Sequence, residues 1–180
     1  MATSPATQEH DDGTAGAKRK PRGTPKDRAL RLLAVRWRSR EELRRRLVAA
    51  GFACEEVATA LDELARVELV DDSRFAQELV KQRGGRRMAG DREIRAALRQ
   101  SGVAADVAER AMAGMGDEGE RALALARGRA LRMTGMASEA AYRRLFGFLV
   151  RRGYGPAVAR DACRAAVAEA LGEPLHGDTD

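Results

Sequence analysis

Ser39-Arg40-Glu41-Glu42-Leu43-Arg44-Arg45-Arg46-Leu47-Val48-Ala49-Ala50-Gly51-Phe52 reads as a helix with both of its ends written in. Ser39 with Glu42 three residues later is a capping-box signature: the hydroxyl accepts from an early backbone N–H while the carboxylate reaches back. Leu43, Leu47 and Ala50 fall at i, i+4 and i+7 on one face, so the helix has an apolar stripe to bury. Gly51 supplies the left-handed conformation that ends many helices, and Phe52 stands where a C-terminal cap makes its hydrophobic contact.

The same grammar continues in both directions. Val57, Leu61 and Leu64 repeat the helical spacing after Gly51-Phe52. Ile94 and Leu98 precede Gly102-Val103, with Val107, Ala111 and Met112 following; Leu145, Leu149 and Val150 precede Gly153-Tyr154, with Val158, Ala162 and Ala165 following. Gly51, Gly102 and Gly153 are separated by 51 residues each time, and fixed self-similarity marks a repeat architecture. A leading helix is expected in each unit, over 27–36, 72–83 and 117–132. No stretch alternates apolar and polar residues as a strand would. The expected fold is therefore all-α: three tandem three-helix repeats, 26–70, 71–115 and 116–172, forming an elongated, curved body between disordered tails at 1–25 and 173–180.

Composition suits such units. Hydrophobic residues make up 44% of the 180 but aromatics only 4%, so each core is thin and aliphatic. The balance of 33 basic against 27 acidic residues is carried on the basic side mostly by arginine, whose planar fork matches carboxylate and phosphate, and an acidic partner is implied. Cys54 and Cys163 lie far apart with no metal or redox spacing, and both read as small buried helix residues. With no apolar leader at the start and no segment near membrane-spanning length, a cytoplasmic, monomeric protein is expected.

Leu69-Val70-Asp71-Asp72-Ser73-Arg74-Phe75-Ala76 joins the first unit to the second. Asp71 or Asp72 can cap the next helix, Phe75 and Leu79 bury at i and i+4, and Asp71, Asp72, Arg74 and Phe75 together form the structural junction. Two windows concentrate cations. Residues 36–46 hold six basic and two acidic side chains, and 81–99 hold seven and two. Arg36, Arg38, Arg40, Arg44, Arg45 and Arg46 in the first, Lys81, Arg83, Arg86, Arg87, Arg92, Arg95 and Arg99 in the second, with Arg151 and Arg152 from the third unit, are the candidate binding residues. Arg44, Arg45 and Arg46 outnumber the nearby acids, and Arg83, Arg86 and Arg87 sit in a loop loosened by Gly84-Gly85.

Several patterns carry no chemistry. Gly114-Met115-Gly116-Asp117-Glu118-Gly119 satisfies a dinucleotide fingerprint in letters, but a helix rather than a strand precedes it, so it reads as an inter-repeat linker. His10 and His176 fall in the expected tails, where no pre-organised acid, base or metal site can form. Trp37, beside Arg36 and Arg38, could stack on a base but reads rather as a partly buried anchor between helices, and Met112, Met115, Met133 and Met136 read as soft packing. With no catalytic constellation, cofactor site or metal site to assemble, the chain reads as a binding protein and not an enzyme.

The ordered pieces resemble the RecX regulatory proteins, which modulate the RecA recombinase. The resemblance rests on Ala29-Leu30-Arg31-Leu32-Leu33-Ala34, on Ser39-Arg40-Glu41-Glu42-Leu43 with Leu47 and Gly51-Phe52, on the 57–64 segment and on the Asp-Asp-Ser-Arg-Phe-Ala junction. Arg83, Gly90, Ile94, Leu98 and Gly102-Val103 fit the second unit, and Phe148-Leu149-Val150-Arg151-Arg152-Gly153-Tyr154 looks like the closing one. It spans roughly residues 26–171, with two departures: Glu68 stands where the family usually has glycine, and Gly84-Gly85 with Arg86-Arg87 alters a loop. The resemblance implies a regulator that binds the RecA–DNA filament, touching single-stranded and also double-stranded DNA, and restrains ATPase activity, strand exchange and recombination, with effects on DNA repair and the SOS response. The competing expectation, from charge alone, is a stand-alone helical nucleic-acid-binding protein.

Overall fold

The structure, a computed structural model, describes residues 22–172. The order is α1 (Pro25–Leu33), α2 (Arg40–Ala49), α3 (Cys54–Arg66), α4 (Asp72–Val80), α5 (Asp91–Gln100), α6 (Ala105–Met112), α7 (Glu118–Ala130), α8 (Ser138–Arg151) and α9 (Pro156–Leu171). No strand occurs among the described residues. His10, His176, residues 1–21 of the first expected tail and the whole of the second lie outside them. Thr24 and Asp27 form a full capping box and Pro25 opens α1, where its missing N–H costs nothing. That helix also stops at Leu33, which leaves Arg36 and Trp37 in the turn before α2.

Each middle helix ends as its glycine predicts. Gly51, Gly102 and Gly153 have φ of 97°, 75° and 85°. The amides of Phe52, Val103 and Tyr154 return to the carbonyls of Leu47, Leu98 and Leu149, a Schellman motif at all three sites. α3 ends the same way with Glu68 in the left-handed position, φ 57°.

Each unit buries its own core. Leu43, Leu47, Val57, Leu61 and Leu64 fill the first; Phe75, Ile94, Leu98 and Met112 the second; Leu145, Leu149, Tyr154 and Val167 the third. Removing one such leucine from water contributes about 1.5–3 kcal/mol, so three thin cores suffice for three small units. In the third, Ala122, Ala126 and Ala130 recur every four residues along α7 and meet Ala159, Ala162 and Ala166 of α9, which allows close helix packing without aromatic bulk. Cys163 is buried there, its thiol pushed up to about 12 by burial, but Cys54, expected to be buried, opens α3 in solvent. Its position in the first turn of α3 turns it away from the core stripe of Val57, Leu61 and Leu64.

The units meet through helix ends. The Ser39 hydroxyl at the start of α2 donates to the carbonyl of Ser101 at the end of α5, and the Gly90 amide at the start of α5 donates to the carbonyl of Arg152 at the end of α8. Each pairing sets the carbonyl end of one helix against the amide end of another, satisfying groups that a lone helix leaves open. Acids from the next unit complete both joints: Asp72 accepts from the Arg40 amide at 2.8 Å and Glu118 from the Asp91 amide at 2.9 Å.

Candidate functional site

The junction residues divide the work that the sequence assigned to them jointly. Asp71 caps α4 by accepting from the Ser73 and Arg74 amides, while Asp72 reaches back to α2. Arg74 lies over the Trp37 ring, 4.3 Å from its centre, and Phe75 is buried beneath. Trp37, a residue of the first unit, packs on the core of the second. This places its ring at the wall of a cleft between the two units.

Across that cleft, α4 widens into a π-helical segment, Lys81–Arg86. Its last turn is closed by a hydrogen bond that the Arg87 amide donates to the carbonyl of Gln82, five residues back. Gly84 lies where a β-carbon would come 2.7 Å from the Met115 methyl, so the widened turn packs closely on the end of α6. Such turns recur at functional sites because they re-aim side chains. Here Lys81, Arg83 and Arg86 line the cleft opposite Arg36 of the first unit, and Arg45 lines an adjoining cleft that shares Arg36 and Arg83. The cavity measures about 540 Å³, within the range of small-ligand sites. Four cations, Arg36, Lys81, Arg83 and Arg86, face two carboxylates, Glu42 and Glu78.

Glu42 does not complete a capping box. The Ser39 hydroxyl accepts from its amide, but the carboxylate is held by Arg36, Arg38 and Arg46 at 2.6, 2.5 and 3.1 Å. Burial pushes this carboxyl up, but the charges of Arg36 and Arg38 and the bonds from Arg38 and Arg46 outweigh it, and it is held below its ordinary value. One negative charge thus organises three guanidiniums and leaves the surrounding field positive.

Of the other expected cations, Arg38 is buried and also bonds the Leu32 carbonyl; Arg40 pairs with Asp62, and Arg44 grips Glu41 bidentately. Arg45 shares Glu41 at 3.7 Å and donates to the Gln100 carbonyl across the joint. The acids are therefore fewer than the arginines around them, yet none of these six stands alone. Arg83 pairs with Glu93 and Arg95 with Glu109. Arg152 donates to the Arg87 carbonyl and lies over Phe148. Among the described residues, Lys81, Arg86, Arg87, Arg92, Arg99 and Arg151 are exposed with no carboxylate within 4 Å of their charge. The expected set thus divides: Arg36, Lys81, Arg83 and Arg86 converge, Arg45 lines the adjoining cleft, and Arg38, Arg40, Arg44, Arg46, Arg87, Arg92, Arg95, Arg99, Arg151 and Arg152 line neither. Glu42 as the organising charge was missed, since its capping role hid it.

Residues 26–64 match the RecX first three-helix domain and residues 71–112 the RecX second three-helix domain. The chain is 39% identical over 147 residues to "Regulatory protein RecX" of Mycobacterium avium, covering 80% of this chain and 83% of that one. The chain belongs to the RecX family. A relative of the same description from Corynebacterium efficiens is 38% identical over 155 residues, covering 80% of this chain and 72% of its own length. The crystal structure of RecX from Lactobacillus salivarius superposes with a TM-score of 0.69 over 79% of this chain and 94% of that one, at 19% identity, and so shares the fold. RecX membership makes this a regulatory protein. Among the described residues no helix is long and apolar enough to cross a membrane, and no group of His, Cys, Asp and Glu is placed to hold a metal ion.

Proposed function

We propose that this protein binds the RecA–DNA filament and restrains it, slowing ATP hydrolysis, strand exchange and recombination, and thereby tempers DNA repair and the SOS response. It acts in the cytoplasm as a monomer without chemistry of its own. The observation that carries the reading is the cleft between the first two units, where cations from both converge within a chain of RecX family. An acidic surface, whether filament protein or DNA phosphate, is the natural counter-charge. Three linked units can engage successive parts of one filament, so that avidity substitutes for any single tight contact. The unpaired Arg87, Arg92, Arg99 and Arg151 extend this basic character beyond the cleft.

The test adds the protein at substoichiometric ratio to preformed RecA filaments and follows ATP hydrolysis and strand exchange. Both should slow. No effect at any ratio overturns the reading. If the protein were instead a plain nucleic-acid binder, naked DNA would bind as well as filaments and affinity would fall steeply with salt.

A further inference from the structure

We propose that the cleft between the first and second units is a phosphate site whose occupancy clamps those two units together. The site is lined from both sides of a joint: Arg36 comes from the first unit and Lys81, Arg83 and Arg86 from the second, while Arg45 of the first unit lines the adjoining cleft. Cations facing one another across a gap repel, and an anion between them turns that repulsion into a bridge. The joint it spans has few polar contacts of its own. Its polar contacts are those of Ser39 with Ser101, Arg40 with Asp72 and Arg45 with Gln100, beside the packing of Trp37 under Arg74.

The charge favours phosphate over a single carboxylate. Three of the four cations are arginines, whose planar forks serve either group, but a phosphate brings about two negative charges and more acceptor oxygens to answer them. Two of them are already committed, Arg36 to Glu42 and Arg83 to Glu93, yet each keeps further N–H donors. Lys81 and Arg86 have no acid within 4 Å and supply the uncommitted charge. Glu78 opposes binding: it lines the same cavity and none of the surrounding cations reaches it within 4 Å. The Trp37 ring adds an apolar wall suited to a sugar or base attached to the phosphate. A phosphate group could arrive free or as part of a single nucleic-acid strand. This deepens the reading of the cleft as the contact toward an acidic partner, but it does not depend on RecA.

Trp37 is the one tryptophan of the chain, so its emission reports on the cleft directly. The full-length protein is titrated at low ionic strength with sodium pyrophosphate and, separately, with oligothymidylate. A saturable change in emission is expected. The K81A/R86A pair should raise the half-saturating concentration about tenfold or more, the loss expected for charge-assisted hydrogen bonds. E78Q should lower it several-fold. R144A/R160A, which removes two exposed arginines of the third unit, should leave it unchanged. Under saturating ligand, exchange of the Arg40 amide at this joint should slow while that of the Arg92 amide at the second joint stays as it was.

Competition between the two ligands for one site identifies the phosphate group itself as what is read, and saturation by oligothymidylate alone identifies the strand as its source; either supports the proposal. It is overturned if neither ligand saturates, if K81A/R86A responds like wild type, if oligoglutamate binds where the phosphates do not, or if Arg40 exchange is unaltered. Intact pyrophosphate binding with no effect on RecA filaments would sink the filament reading and leave this one standing.

Discussion

Gly153 approaches Glu93 so closely that a β-carbon on the glycine would lie 2.6 Å from the Glu93 amide nitrogen and 2.5 Å from its β-carbon. The glycine therefore answers two demands at once: a left-handed turn at the end of α8 and an unobstructed seat on the start of α5. Gly102 repeats the arrangement against Glu41, at 2.4 Å from both the β- and γ-carbons.

Alanine at either position should thus cost more than the strain of its φ alone. G153A is expected to destabilise by about 3 kcal/mol and G102A by about 2, since the first meets backbone, which cannot move aside, and the second meets a side chain. Urea unfolding of the two variants against wild type measures both values. Equal, sub-kilocalorie losses would show that the joints are looser than this geometry.

Glu68 offers the opposite case. It holds a left-handed conformation at the end of α3 that suits glycine, and no joint presses on it in compensation. E68G should raise stability by up to about 1 kcal/mol, relief of strain exceeding the extra freedom that glycine gives the unfolded chain. Thermal melting reads the sign; a lower midpoint contradicts it.

The Glu42 cluster makes stability depend on pH. Its folded pKa lies below the ordinary value of 4.5, so the folded state binds fewer protons than the unfolded one. The contribution is fully present above the unfolded pKa and is lost as pH falls through the depressed value. Wild type should therefore exceed E42Q in stability at neutral pH, and the gap should narrow as pH falls below the ordinary carboxylate value. Urea midpoints of both proteins across that range decide it, and a gap independent of pH would remove Glu42 from the account.

Charge reversal separates binding from folding. R86E/R87E alters two exposed side chains with no acid partner and should leave the melting temperature unchanged while weakening filament binding at least about tenfold. R45E should do both kinds of damage, because Arg45 also holds the Gln100 carbonyl across the joint. Sedimentation with RecA filaments and thermal melting together test the pair. Wild-type binding by R86E/R87E would place the contact surface elsewhere.

The fold was largely legible because its signals are local. A serine cap, a leucine stripe and a glycine lie within fourteen consecutive residues, 39–52, and each is set by backbone geometry that neighbours in sequence determine. The partners of the arginines were not. Asp62 for Arg40, Glu109 for Arg95 and the Gln100 carbonyl for Arg45 come from other helices, so no window of sequence could show which charges were already answered. Nor could the π-helical segment be read, although Gly84-Gly85 marked the place: two glycines loosen a helix without saying whether it ends or widens.

The joints between units are asymmetric, a carbonyl end seated on an amide end, and both point the same way along the chain. The molecule consequently has a direction, with α2 contributing a helix carboxyl terminus at one extreme and α8 a helix amino terminus at the other. Turned end for end, it would offer the same units with their electrical signs exchanged. A partner that itself has a front and a back would accept it one way round, and where it stopped would depend on which end arrived first.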